Sequence, residues 1–288
     1  MRKDDCTLNQ FEIGEVRRSA KLLLKEAGAE GRFPTPIDDL LAAAKLTVVG
    51  DIREKATLSD FLSNIGSGLV KKVTPAVSAV KGILGLLHIP SREILIDGSQ
   101  HEHKQTWTKL HETGHGYLPH QKNMFELMED GKFELDPATE DLFEKEANNF
   151  AAETLFQLDS YERLAANYIV SIRTPIDLSK KFGSSIYSSM RRYIQTHHKP
   201  LSLAIYDLKN ERGEFTLRRA SIHSQSFVQK HGPFPWPSTC NARDWLWSPL
   251  SVRFFDGNLK VEINGEQRYC LVQTFSNGYQ IFAMLSAL

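Results

Sequence analysis

Residues 108–118, "TKLHETGHGYL", set His111 and His115 four positions apart, with Glu112 directly after the first histidine. On an α-helix, side chains at that spacing lie about 40° apart around the axis and about 6 Å apart along it, so two imidazoles can face one ion. Nitrogen and oxygen donors suit Zn²⁺, which favours tetrahedral coordination and, in hydrolytic sites, keeps one position for water. Glu112 is displaced towards that water, where a base must take a proton without becoming a ligand. Gly114, one residue before the second histidine, leaves room for a neighbouring element to come close. The competing reading is a helix with two surface histidines, and the pentapeptide alone leaves both open.

A hydrolytic zinc site needs a third protein ligand, and the segment "EKEANNFAAE" offers Glu144, Glu146 and Glu153 beside small and apolar residues. Glu146 directly precedes Ala147 and lies one turn before Phe150, near the edge of the buried face, whereas Glu144 is displaced from it by about 200°. The pattern therefore favours Glu146 as the ligand, with Glu144 and Glu153 as solvated helix charges. Tyr117 and His120 follow the motif closely and are candidates to polarise a scissile carbonyl or hold an oxyanion. The plainer alternative is a packed Tyr117 and an exposed His120. His101 and His103 fall in a polar stretch and read as solvated, while His197 and His198 end a helix, where cations suit the macrodipole. Cys240 has no histidine placed to activate it, which argues against a thiol enzyme.

These side chains need a scaffold. Residues 15–28 read as an amphipathic helix ending near Gly28, and a second helix starts with Thr35 as N-cap and Pro36 in its first turn. "TVV" at 47–49 reads as a short strand, and residues 58–73 as a helix broken around Gly66 and Gly68. "GILGLLHI" (82–89) and "REILIDG" (92–98) read as paired strands separated by Pro90-Ser91. The helix carrying the histidines follows at about 104–118. Asp136-Pro137 then opens a periodic helix with Leu142, Phe143, Phe150, Ala151 and Leu155 on its core face. Residues 174–197 read as helix, glycine-containing turn, helix. From 201 onward strands predominate, with Asn264-Gly265 and Asn277-Gly278 as hairpin turns and apolar residues on both faces of "YQIFAML".

"WTKLHETGHGYL" followed about thirty residues later by "EKEANNFAAETL" resembles the ImmA/IrrE family of zinc metallopeptidases, which pairs a His-Glu-x-Gly-His helix with a Glu-Ala-Asn-x-Phe-Ala helix. The likeness covers roughly residues 15–195, from the paired helices with "TPIDDLLAAAKLTVV" to "LSKKFGSSIYSSMRRYI", similar to the helix-turn-helix-like segment that commonly follows. The resemblance implies His111, His115 and Glu146 as zinc ligands, Glu112 as catalytic base, and a helix-turn-helix repressor as the protein that is cut. Zinc peptidases of this build commonly bind substrate as an added strand. Residues 92–97, with Ile94, Leu95 and Ile96, are therefore the expected substrate edge. Thr113 stands where the family often has an aliphatic residue, and "TLFQLDS" replaces its usual Leu-Leu-Met-Pro-like run.

Lysine plus arginine equals aspartate plus glutamate at 35 each, so no global field argues for nucleic acid or membrane. Locally, Arg173, Lys180, Lys181, Arg191, Arg192 and Lys199 stand against Asp177 alone over 173–199. A helix-turn-helix could contact DNA through such a patch, but its second helix lacks a clear base-reading set, and scaffolding is the preferred role. Residues 122–146 are rich in acids, compatible with a basic substrate or simply with a solvated face. Three widely spaced cysteines fit reduced thiols, and no run has signal-peptide or membrane-spanning character, so a cytoplasmic location is expected.

The expected fold is α+β. A zincin-like metallopeptidase domain with a small mixed sheet would occupy 1–160, a helix-turn-helix-like segment 161–200, and a β-rich sensory or substrate-binding domain 201–288. The expected function is zinc-dependent, site-specific proteolysis of a repressor. The alternative is a zinc-bearing transcriptional or toxin-antitoxin regulator that acts by binding, without turnover.

Overall fold

The computed structural model describes residues 7–63, 84–129, 135–207, 214–218, 221–241 and 253–287. The chain forms two compact units, one of residues 1–160 with 181–185, the other of 161–180 with 186–288. Residues 161–180 and 186–200 thus group with the β-rich part.

The first unit runs α1 (Gln10–Glu26), α2 (Ile37–Ala43), β1 (Thr47–Asp51), α3 (Lys55–Ser63), β2 (Gly85–His88), β3 (Glu93–Ile96), α4 (Glu102–Tyr117), α5 (Pro119–Glu129) and α6 (Pro137–Leu155). α1 starts earlier than its apolar periodicity suggests because Asn9 and Glu12 form a capping box. The Asn9 side chain accepts from the Phe11 and Glu12 amides, and the Glu12 carboxylate accepts from the Asn9 amide at 2.7 Å. Thr35 does not cap α2; Pro36 takes that position, and the Thr35 hydroxyl donates to the Leu155 carbonyl at 2.8 Å. Of the helix expected over 58–73, residues beyond 63 lie outside those described.

The sheet order is β1-β3-β2, with β1 parallel and β2 antiparallel to β3. β3 is therefore central, and Ile94, Leu95 and Ile96 are buried. This corrects the expectation that residues 92–97 offer a substrate edge. Both rows of β3 backbone donors and acceptors are already paired within the chain, and an extended peptide has nothing left there to bond.

Three glycines set how closely α4 is approached. A Cβ on Gly114 would lie 3.0 Å from the Ala147 Cα, so α4 and α6 touch backbone to backbone at this point. Gly116 admits the side chains of Leu46 and Leu87, at 3.3 and 3.2 Å from an added Cβ, and Gly85 of β2 leaves space for the Glu112 carboxylate. Arg92, at φ 61°, donates to the Gly116 carbonyl at 2.9 Å and also to that of Ala44, tying the β2–β3 turn to the last turn of α4. α6 is capped by Asp136, which accepts from the Ala138 and Thr139 amides, with Pro137 first in the helix. Its buried face carries Phe143, Ala147, Phe150, Ala151 and Leu155. Glu153 also lies there: buried and ion-paired with Arg17 of α1 at 2.8 Å, it is not the solvated charge its composition suggested.

The second unit contains most of α7 (Ser160–Ala165) and α8 (Arg173–Phe182), then α9 (Ile186–Thr196). There follow β4 (Leu201–Asp207), β5 (Glu214–Leu217), β6 (Ile222–His223), α10 (Gln225–His231), β7 (Thr239–Asn241), β8 (Phe254–Ile263), β9 (Glu266–Ser276) and β10 (Gln280–Ser286). The antiparallel sheet has the order β7-β5-β4-β10-β9-β8, with β6 also pairing with β4. β10 is buried from 281 to 286, as its two apolar faces require. Asn264 and Gly265, both at positive φ, close the β8–β9 hairpin. The architecture is α+β, and among the described residues no helix is long and apolar enough to cross a membrane.

Candidate metal centre

His111 and His115 stand one turn apart on α4, and their Nε2 atoms lie 3.1 Å from each other, with the rings at 83°. Across from them, on α6, the Glu144 carboxylate divides between the two: Oε2 is 3.4 Å from His111 Nε2 and Oε1 is 3.4 Å from His115 Nε2. The three side chains thus bring two nitrogens and a carboxylate within 4.8 Å of one another. Two imidazole nitrogens aimed at each other and at one carboxylate form a poor hydrogen-bonding arrangement but a good ligand set for a divalent cation. Its N₂O composition is that of a hydrolytic zinc site with one position to spare.

The orientation of His115 has a visible cause. The Gln121 side-chain amide donates to the Glu146 carboxylate at 2.7 Å and to the Phe143 carbonyl at 3.2 Å. Two acceptors on its nitrogen leave Gln121 Oε1 facing His115 Nδ1 at 2.7 Å. Nδ1 therefore carries the hydrogen and donates, and Nε2 keeps its lone pair for the metal position. His120 donates to the same Glu146 carboxylate at 2.6 Å. A polar chain runs from His115 through Gln121 and Glu146 to His120.

The expected third ligand is consequently corrected. Glu144, not Glu146, reaches the histidines; Glu146 is 4 % exposed and spends its carboxylate on Gln121 and His120. Glu144 is not free in solvent, although its side chain is 46 % exposed. The apolar stripe pointed to Glu146, but that face of α6 packs within the unit, and the half-exposed Glu144 is the carboxylate that stands against the histidines.

Glu112 lies against β2 on the buried side of α4. Burial pushes its carboxyl above the ordinary range and Glu144 adds to this, while His111 and His115 pull it back. The hydrogen bonds from His111 and His115 hold Glu144 far below the usual carboxylate range. Burial works to lower His115, but Glu144, Glu112 and Gln121 together raise it. A cation between the two imidazoles would compete with the proton that these neighbours favour on His115.

Tyr117 points away from this cluster, and its hydroxyl donates to Glu26 of α1 at 2.6 Å. Its ring lies 6.0 Å from that of Phe150, as the packed alternative has it. His120 sits at the edge of the cluster through Glu146, with a half-exposed ring. His101 is exposed and accepts from the His103 amide as N-cap of α4. Gln121 was missed from sequence, since nothing in its spacing marks a residue whose role depends on three elements meeting.

No curated protein matches the chain. A solved structure, a Mycobacterium tuberculosis transcriptional regulator, is similar to it with a TM-score of 0.53 at 11% identity, over 95% of this chain and 76% of that one. At that identity the likeness extends to the fold alone. Residues 75–189 match the family model described as Peptidase_M78, IrrE N-terminal-like domain. Both α4 and α6, with His111, Glu112, His115 and Glu144, fall inside that match. Over this segment the chain is similar to the family that its paired motifs resembled.

Proposed function

We propose that the protein is a zinc-dependent metallopeptidase that cuts a protein substrate, a helix-turn-helix repressor by the family resemblance. The observation that carries this is the convergence of His111, His115 and Glu144 beside a buried Glu112 that has no place in the ligand set. A structural zinc site closes its coordination with a fourth protein ligand, and no fourth joins this cluster among the described residues. Zn²⁺ held by these three residues would supply Lewis acidity, polarising a carbonyl and acidifying water.

The chain's own residues do the rest. Glu112, its carboxyl raised by burial, takes the proton of the attacking water and later delivers it to the departing amine. Gln121 keeps His115 in the tautomer whose Nε2 faces the site. Extended substrate lies along β2, which passes Glu112 at Gly85 and, among the described residues, pairs with β3 alone. Cys240 and Cys270 are both buried, as reduced thiols of a cytoplasmic protein commonly are.

The rival is a regulator that acts by binding without turnover; the mycobacterial neighbour is named a transcriptional regulator. Glu112→Gln separates the two. Loaded with equal zinc and offered a candidate repressor from a neighbouring reading frame, the parent should generate fragments about 10²–10⁴-fold faster than the variant, as loss of a general base costs. Equal cutting by both forms would remove Glu112 from the mechanism. Relief of repression by both without any cutting would favour the regulator.

A further inference from the structure

We propose that a cleft in the second unit, between α8 and the start of β8, binds a small organic molecule through a phosphate or carboxylate group. Its walls are Arg173, Ile176, Asp177 and Lys180 on one face of α8, with Arg253 and Phe254 from β8. Positions 173, 176, 177 and 180 share a helix face by their three- and four-residue spacing. Ile176 and the half-buried Phe254 make the floor, while the charged residues stand at the rim.

The placement of the arginines is the central observation. Phe254 is the outer member of an aromatic row, 4.9 Å from Phe275, which in turn lies 6.0 Å from Phe282. The Arg173 guanidinium sits 3.9 Å above the Phe254 ring, and that of Arg253 5.9 Å from it. At 3.9 Å the Arg173 guanidinium is in contact with the ring face, an interaction that does not consume its N–H donors. Neither arginine has an ion-pair partner among the described residues, and the one lining carboxylate, Asp177, is 3.9 Å from Lys180. Three cations against one anion, one of them held against an aromatic face, match a planar or tetrahedral oxyanion that accepts two parallel hydrogen bonds.

The volume limits the ligand. At about 240 Å³ the cleft falls below drug-sized pockets. It exceeds the roughly 30 Å³ share of a single water by several-fold, so it has room for a small organic body as well as the anionic group. A solvated basic helix face would hold charges of the same sign, but it would not bring Arg173 to 3.9 Å from the ring of a second element.

The test uses the full chain, with calorimetric titration at fixed ionic strength. Glycerol phosphate, inorganic phosphate and succinate are the probes, glycerol is the uncharged control, and a duplex DNA is run alongside. At least one of glycerol phosphate and succinate should bind saturably and glycerol should not; the tighter of the two identifies phosphate or carboxylate as the natural group. Arg173→Met and Arg253→Met, which keep an apolar stem over Phe254, should each weaken binding at least tenfold. Asp177→Asn should tighten it severalfold by removing the opposing charge, a gain that misfolding cannot imitate. Absence of saturable binding by the organic anions, indifference of their binding to Asp177→Asn and Arg173→Met, or binding of the duplex alone would each overturn the proposal.

Discussion

Replacing Glu144 by glutamine should damage metal binding more than replacing Glu146, although the two residues are only two apart on α6. Glu144 faces both imidazoles at 3.4 Å. Two unit charges at that distance attract by about 5 kcal/mol at an effective dielectric of 20. The side chain is 46 % exposed, and solvent screening removes a large part of this. An interaction of about 2–3 kcal/mol remains, equivalent to roughly 30–150-fold in affinity, and a dication in place of a protonated imidazole would enlarge it. Glu146→Gln acts indirectly, by loosening Gln121 and through it His115, and changes of this kind cost about 10–100-fold. Competition against a chromogenic zinc chelator, with both variants checked for fold by circular dichroism, measures the difference. A variant at Glu146 that loses zinc more completely than one at Glu144 would show that the carboxylate facing the histidines is not the ligand.

Gln121→Ala should weaken zinc binding about 10–100-fold and slow cleavage while leaving Glu112 in place, because His115 Nδ1 then lacks its acceptor; unchanged zinc affinity would refute the orienting role. Gly114→Ala gains about 1 kcal/mol of helix propensity but sets a methyl 3.0 Å from the Ala147 backbone, where overpacking costs about 1–3 kcal/mol. Backbone cannot turn aside as a side chain can, so a net drop in the denaturant midpoint is expected, and a rise would contradict the close crossing. In metal-free protein the raised carboxyl of Glu112 favours the neutral form in the fold, so its contribution is present below about 4.3, the ordinary pKa of glutamate, and lost as pH rises towards the folded value. Metal-free Glu112→Gln should therefore gain stability over the parent as pH rises through that window, and parallel stability curves would count against a buried, strained carboxylate.

Local rules account for much of the site. His111, Glu112 and His115 owe their arrangement to helical period alone, and the tight approach at Gly114 follows from the missing side chain. The capping box of Asn9 and Glu12 stands at the required spacing, but apolar periodicity, which begins the helix at 15, passes over it. The β2–β3 pairing was readable because the Pro90-Ser91 break separates two apolar runs. β1 was recognisable as a strand, but its parallel pairing with β3 depends on a partner more than forty residues away, and that pairing removed the expected edge.

The choice between Glu144 and Glu146 shows where local reasoning stops. Periodicity fixes that the two glutamates point about 200° apart, and it identifies the apolar stripe beside Glu146. It does not fix how α6 is rotated against α4. That rotation is set where Gly114 meets Ala147: the contact turns Glu144 onto the histidines and Glu146 onto Gln121 and His120. The sequence by itself determined the pair of histidines, Glu112 between them and the helices that carry them, because each depends on residues within a few turns. Only the tertiary structure decided the third carboxylate, the tautomer of His115 and the loss of the β3 edge, because each depends on atoms brought together from segments far apart in the chain.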